Sequence, residues 1–271
     1  MKKISKIALS FFILVLIASR SLAIDVVVVS PWIAVLTHFI GGIKVKVIPL
    51  STWDNGIISR AKIRNTISAD TYIIALDNSE IKNIGLDESN YSNIRYLYEN
   101  APFDDSESDK YFSDPSVLPF IAQRLLPVLS AFDAENFPYY QRRLAEFQTR
   151  LSSTTLAGRN LLKGQKVLDL TFSSGYFLMA AGCDVLRPDI DEIDEWIRTK
   201  QTEKLNELVT NSQKGNRLVI IDGATPKHIR TSLGTLPNII ALSRPQLDQD
   251  FLAFIHDQYL IIWNAIKDKA K

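Results

Sequence analysis

The chain has 271 residues, 46% of them hydrophobic and 23% charged, a globular composition with room for two modest domains or one large one. Its 31 basic residues stand against 30 acidic ones, so there is no basic field to attract nucleic acid or acidic lipid. The single cysteine, Cys183, excludes an internal disulfide.

The first stretch reads as a leader. "MKKISK" is a basic n-region, "IALSFFILVLIA" is apolar, and Ser21 and Ala23 are the small residues before a cut at Ala23/Ile24. About a dozen apolar residues are too few for a comfortable membrane span. Residues 1–23 are therefore expected to be a signal peptide, and the mature protein a soluble one of the periplasm. Removing Lys2, Lys3, Lys6 and Arg20 leaves 27 basic against 30 acidic residues, a net of about −3. Cys183 lies far from the cut and cannot carry a lipid there, so no lipoprotein is expected. It reads as a small buried hydrophobe.

Strand candidates follow in chain order at 24–30, 44–50, 71–76 and 94–98, then again at 166–170, 217–222 and 238–243. Near-continuous apolar strands separated by helices indicate parallel sheets covered on both faces. Ser30 is placed to cap "PWIAVLTHFI", with Pro31 in its first turn, Gly41-Gly42 as its stop, and Trp32, Val35, Leu36 and Phe39 as its buried stripe. "DDSESD" (104–109) reads as a solvated acidic loop. Asn136 caps a helix in which Phe137, Tyr140, Leu144, Phe147 and Leu151 recur at spacings of 3 and 4. That stripe suits a strut of about 25 residues, ~37 Å long. Asp189 and Glu192 form a capping-box pattern for the helix after them. The fold class expected is α/β: two lobes, each a mostly parallel sheet flanked by helices, joined by one long linking helix. The boundaries are 24–135 for the first lobe, 136–162 for the helix and 163–271 for the second lobe.

No residues form a catalytic constellation. There is no glycine-rich phosphate loop, no Cys/His metal cluster and no nucleophile elbow. His38, His228 and His256 are isolated, and Ser173-Ser174-Gly175 lacks the strained G-x-S-x-G turn. An enzyme is not expected.

An ordered series of segments resembles the zinc and manganese solute-binding proteins of ABC importers (cluster A-I). "VVVVSPWIAVLTHFIGGIKVKVIPL" is similar to that family's first strand, its helix ending in Gly-Gly, and its second strand. "ISADTYIIAL", the Asp114-Pro115 motif with the two helices after it, "SSGYFLMAAGCDVL" and "PDIDEIDEWI…LVIIDGATP" match later segments in order. The likeness covers nearly all of 24–271. It implies two α/β lobes with a metal in the cleft between them, held by His and carboxylate groups, and an ABC permease in the inner membrane or another periplasmic protein as partner.

Carried over by position, the resemblance puts Asp54 at the first ligand position, in a loop shortened to "PLSTWDNG". It puts Lys110, or Tyr111 with a one-residue shift, at the second, Thr171 at the third and Ser243 at the fourth. None of these is a histidine. Hydroxyls are weak ligands for Zn, and a lysine ammonium repels a dication by ~4 kcal/mol per unit charge at about 4 Å and an effective dielectric constant near 20. Asp54, Lys110 or Tyr111, Thr171 and Ser243 are thus expected to converge between the lobes without making a tight Zn or Mn site, and Asp54 and Lys110 are a candidate pair across the cleft. Two readings follow. The first is an importer component whose ligand is not a bare metal, or is a metal held by other groups. The second is an accessory protein that kept the fold and works through a partner.

Overall fold

The computed structural model describes residues 23–54, 57–60, 67–99, 108–171, 174–200, 202–234 and 236–269. The leader expected over 1–23 falls almost wholly outside them. The chain begins with β1 (Ile24–Val28), α1 (Pro31–Gly41) and β2 (Val45–Pro49), then a hairpin, β3 (Ser51–Asp54) and β4 (Ile57–Arg60). β5 (Tyr72–Ala75), α2 (Asn78–Asn83) and β6 (Ile94–Tyr96) follow, then α3 (Ser108–Ser113), α4 (Leu118–Phe132) and the long α5 (Phe137–Leu162). The second half runs β7 (Lys166–Asp169), α6 (Gly175–Ala180), β8 (Asp184–Leu186), α7 (Ile190–Thr199), α8 (Glu203–Lys214), β9 (Leu218–Asp222), α9 (Lys227–Leu233), β10 (Ile239–Leu242) and α10 (Phe251–Lys269).

Two separate four-stranded sheets result, in the orders β2-β1-β5-β6 and β10-β9-β7-β8, with every pairing parallel. The central strands are buried throughout, as in the run Leu218–Asp222. Helices cover them, which is why they carry unbroken apolar sequence. The expected class, two α/β lobes with a long helix between them, is the one observed.

α1 departs from the expected stripe. Ser30 does cap it, accepting from the Trp32 N–H at 3.2 Å, but the helix is buried all round, with only His38 exposed. It lies between its own sheet and the long helix, so no face is left for water. Asn136 stands at the start of α5 without capping it: its side-chain amide donates to Asp133 instead, at 2.7 Å. Asp189 likewise makes no side-chain cap bond on α7. Of the stripe on α5, Tyr140, Leu144, Phe147 and Leu151 are buried, and Phe137 is exposed because it opens the first turn. Ser108 and Asp109, taken as part of a loop, begin α3.

α5 is fastened to both halves. Arg143 donates from Nε and Nη2 to the Phe39 carbonyl, at 3.0 and 2.7 Å, and lies over the Phe39 ring. That carbonyl ends α1, where the helix dipole favours a cation. Gly158 meets α10 closely enough that a Cβ there would stand 2.5 Å from the ring of buried Tyr259. Arg150 pairs with Asp250 at 2.9 Å, just before α10. A single hydrophobic cluster therefore runs from Val26 through α5 to Tyr259, across both sheets.

Candidate functional site

The carboxyl ends of both sheets face a cleft between the lobes, where ligands of open α/β folds collect. Two cavities share its loop after β10. The inner one has a volume of about 30 Å³ and is walled by Trp32, Phe112, Phe177, Phe251 and Phe254, with Ser174, Ser243, Arg244 and Gln258 at its polar edge. It holds about one water. The outer one opens above it with about 590 Å³, between Thr52 and Trp53 of β3 and the segment from Ser243 to Asp248. That volume is in the usual range for small-molecule sites.

Trp32, in the first turn of α1, fixes the inner cavity. Its ring meets Trp53 edge-on at 5.0 Å, stacks on Phe112 of α3 at 5.7 Å and meets Phe251 of α10 edge-on at 6.2 Å. Phe251 continues to Phe147 on α5 and to Phe254. The Arg244 guanidinium lies over Trp32, 5.5 Å from the ring centroid. Ser243 is held by Gln258, whose amide oxygen accepts from the Ser243 N–H at 3.0 Å and whose NH2 donates to Oγ at 3.2 Å.

Of the residues carried over from the resemblance, Ser243 lines both cavities. Asp54 ends β3 with its side chain exposed, one residue past Trp53. Tyr111 is half-buried on α3 against the core cluster, one residue before Phe112. Lys110 lies on the same helix with its side chain outside the described residues, so its pairing with Asp54 does too. Thr171 is buried; its hydroxyl donates to Asp169 Oδ1 at 2.6 Å and accepts from the Ser174 N–H at 3.0 Å. With its one proton committed to Asp169, that hydroxyl is turned back on the end of β7 instead of lining the cavities.

Asp169 itself shows no surface to solvent, and its Oδ2 stands 3.4 Å from Arg187 Nη1. Burial pushes its carboxyl up; the Thr171 hydrogen bonds and the Arg187 guanidinium pull it down without cancelling the rise. Arg187 Nη2 also donates to the Thr171 carbonyl at 3.1 Å, so one guanidinium holds both ends of this turn. Gly175 is required beside it, since a Cβ there would stand 2.6 Å from both Arg187 Nη1 and Asp169 Oδ2. Asp222, at the end of β9, repeats the device with Thr225. Cys183 is half-buried, and burial pushes its thiol up to about 12, far from a reactive thiolate.

The residues that sequence reasoning missed are Trp53 and Arg244. In sequence "PLSTWDNG" reads as a shortened loop, but Ser51–Asp54 within it is a strand, β3, paired with β4. Asn55-Gly56 between the two strands was the available signal, because Asn-Gly favours hairpin turns. Among the described residues no three His, Cys, Asp or Glu side chains come together as a metal group. Among the described residues, the polar side chains lining the two cavities are hydroxyls, the Trp53 indole, the Gln246 and Gln258 amides, the Arg244 guanidinium and the Asp248 carboxylate. Zn and Mn are usually held by several imidazole, carboxylate or thiolate groups, and Asp248 is the one such group among these side chains.

No family model and no curated protein sequence matches. Solved structures do: ZnuA, with 14% identity over 89% of this chain and 98% of that one, at a TM-score of 0.64. The solute-binding protein FpvC from Pseudomonas aeruginosa in complex with Mn2+ has 11% identity over 91% and 99%, at 0.61. The laminin-binding protein Lmb of Streptococcus agalactiae, described as a bifunctional protein with adhesin and metal transporting activity, has 11% identity over 90% and 100%, at 0.65. At such identities the likeness is one of fold. The class this defines is one of fold: two α/β lobes with a long helix between them, the architecture shared with ZnuA and FpvC.

Proposed function

We propose that the protein is the exported solute-binding component of a metal-type ABC import system, acting by binding and not by catalysis, with an interlobe site that does not take Zn or Mn as ZnuA and FpvC do. The observation that supports this reading is the cleft at the carboxyl ends of both sheets, which is walled by aromatic rings and Arg244 and offers, among the described residues, a single carboxylate, Asp248. The proposal includes residues 24–135 and 163–271 as lobes either side of a strut over 136–162, cleavage near Ile24, and docking to an inner-membrane permease.

Calorimetric titration of chelator-stripped protein with Zn and Mn is expected to give no tight one-to-one binding. Submicromolar binding that Asp54→Ala abolishes would mean that the site is a metal site after all. Intact mass of the periplasmic form should correspond to a chain starting at or near Ile24, and a retained leader in the membrane fraction would refute export.

A second reading, an accessory protein working through a partner, draws on the surface. Phe120 is 66% exposed, and Leu156, 59% exposed, lies beside a groove of about 270 Å³ on α5. Lmb pairs the fold with adhesion. Cross-linking in the periplasm separates the readings: capture of a permease favours the first, and capture of a different protein only favours the second.

A further inference from the structure

We infer that the outer cavity of the cleft is a site for a small zwitterion with an apolar side chain, a free amino acid or a short peptide. This rests on the import reading above and names the ligand class of its site. Size decides between the two cavities first. About 30 Å³ beneath Trp32 admits nothing larger than water, whereas the outer volume of about 590 Å³ admits a molecule of one to three residues.

Charge decides the class. Among the described residues, the outer cavity is lined by one cation, Arg244, and one carboxylate, Asp248, four residues apart on the same loop. A ligand of a single sign would bring like charge against one of them; a zwitterion meets both. A guanidinium carries five donors in a fixed fork, so it can take a carboxylate alongside the contacts it already makes. The same lining includes the half-buried indole of Trp53 and the half-buried Leu247, which suit an apolar side chain, with Thr52 and Ser243 hydroxyls as further polar contacts.

The walls are held before any ligand arrives. Gln258 fixes Ser243, Trp32 carries Arg244 on its face and Trp53 at its edge, and Pro245 is buried. Preorganised walls lower the cost of binding.

The test uses the mature full-length chain, unfolded and refolded to release carried ligand. It is titrated calorimetrically with L-phenylalanine and the dipeptide Leu-Phe, then with 3-phenylpropionate and phenethylamine, which lack the ammonium and the carboxylate. One-to-one binding of a zwitterion is expected, at least about tenfold tighter than either analogue. Arg244→Gln and Asp248→Asn should each weaken it about tenfold or more. Asp248 sits on the exposed rim, so its variant answers the question even if Arg244→Gln folds poorly. The inference is overturned if neither zwitterion binds at millimolar concentration, if an analogue binds as well, or if both variants bind like wild type. Native mass spectrometry of the periplasmic protein tells its failure from that of the import reading. A carried molecule with one charge sinks the zwitterion and leaves import standing, while no carried ligand and no response to zwitterions, Zn or Mn sinks both.

Discussion

Asp169 shows how one residue sets a loop. It is buried at the end of β7, and its neighbours spend their polar groups on it: the Thr171 N–H and hydroxyl on Oδ1, Arg187 beside Oδ2. Because its folded carboxyl is raised above 3.8, the group's contribution to stability is present below that value and is lost as pH rises through the folded one. Arg187→Ala removes the compensating cation and raises the carboxyl further. The expected cost is about 3 kcal/mol at neutral pH, since a buried charge is left unpaired. It should shrink as pH falls through the folded value, where protonation removes that charge. Urea unfolding at pH 7 and pH 5 reads the difference, and an equal loss at both would show that Asp169 is not the partner that matters.

At the scale of elements, α5 and α10 carry two expectations. Leu144→Pro in the middle of α5 removes a helix bond on the buried face and should cost ~3 kcal/mol or more. An unchanged melting temperature would refute the strut. Asp250 caps α10, its Oδ1 accepting from the Leu252 and Ala253 N–H groups at 2.9 and 3.0 Å, and it pairs with Arg150. Burial raises its carboxyl, but the Ala253 N–H and Arg150 outweigh that and hold it below 3.8. Its contribution is therefore present above pH 3.8 and is lost as pH falls through the folded value. Asp250→Ala should cost about 1 kcal/mol at pH 7, the usual worth of a cap. The gap from wild type should close in acid below 3.8, as followed by urea midpoints, and a gap that persists there would assign the loss to packing.

For the whole molecule, the cluster around Trp32 joins elements of both halves of the chain by packing. Rings from α1, β3, α3 and α10 meet there, and α5 joins through Phe147. Trp32→Ala should cost about 3–5 kcal/mol, the range for emptying a large aromatic site. Hydrogen exchange should rise both along Pro31–Gly41 and along Phe251–Ile255. Loss of protection in the first lobe alone would show that the lobes are not joined through this ring.

The sequence by itself determined what short-range physics controls. Apolar runs placed strands in both sheets, Ser30 and Pro31 marked the start of α1, and the spacing from Tyr140 to Leu151 marked the long helix, because each pattern is written within a few turns of chain. It fell short where a pattern was brief or shared: β8 has three residues, and the cap bonds expected of Asn136 and Asp189 are absent, Asn136 donating to Asp133 instead. The cleft was least legible. Trp32, Trp53, Phe112 and Phe251 are spread over some 220 positions and touch only after both sheets are built, so no local spacing announces them. The same holds for Thr171, whose hydroxyl looks available in sequence and is claimed by Asp169 in the fold. Hydrogen-bond partners and ring contacts are properties of distance in space, and only the tertiary structure supplies that distance.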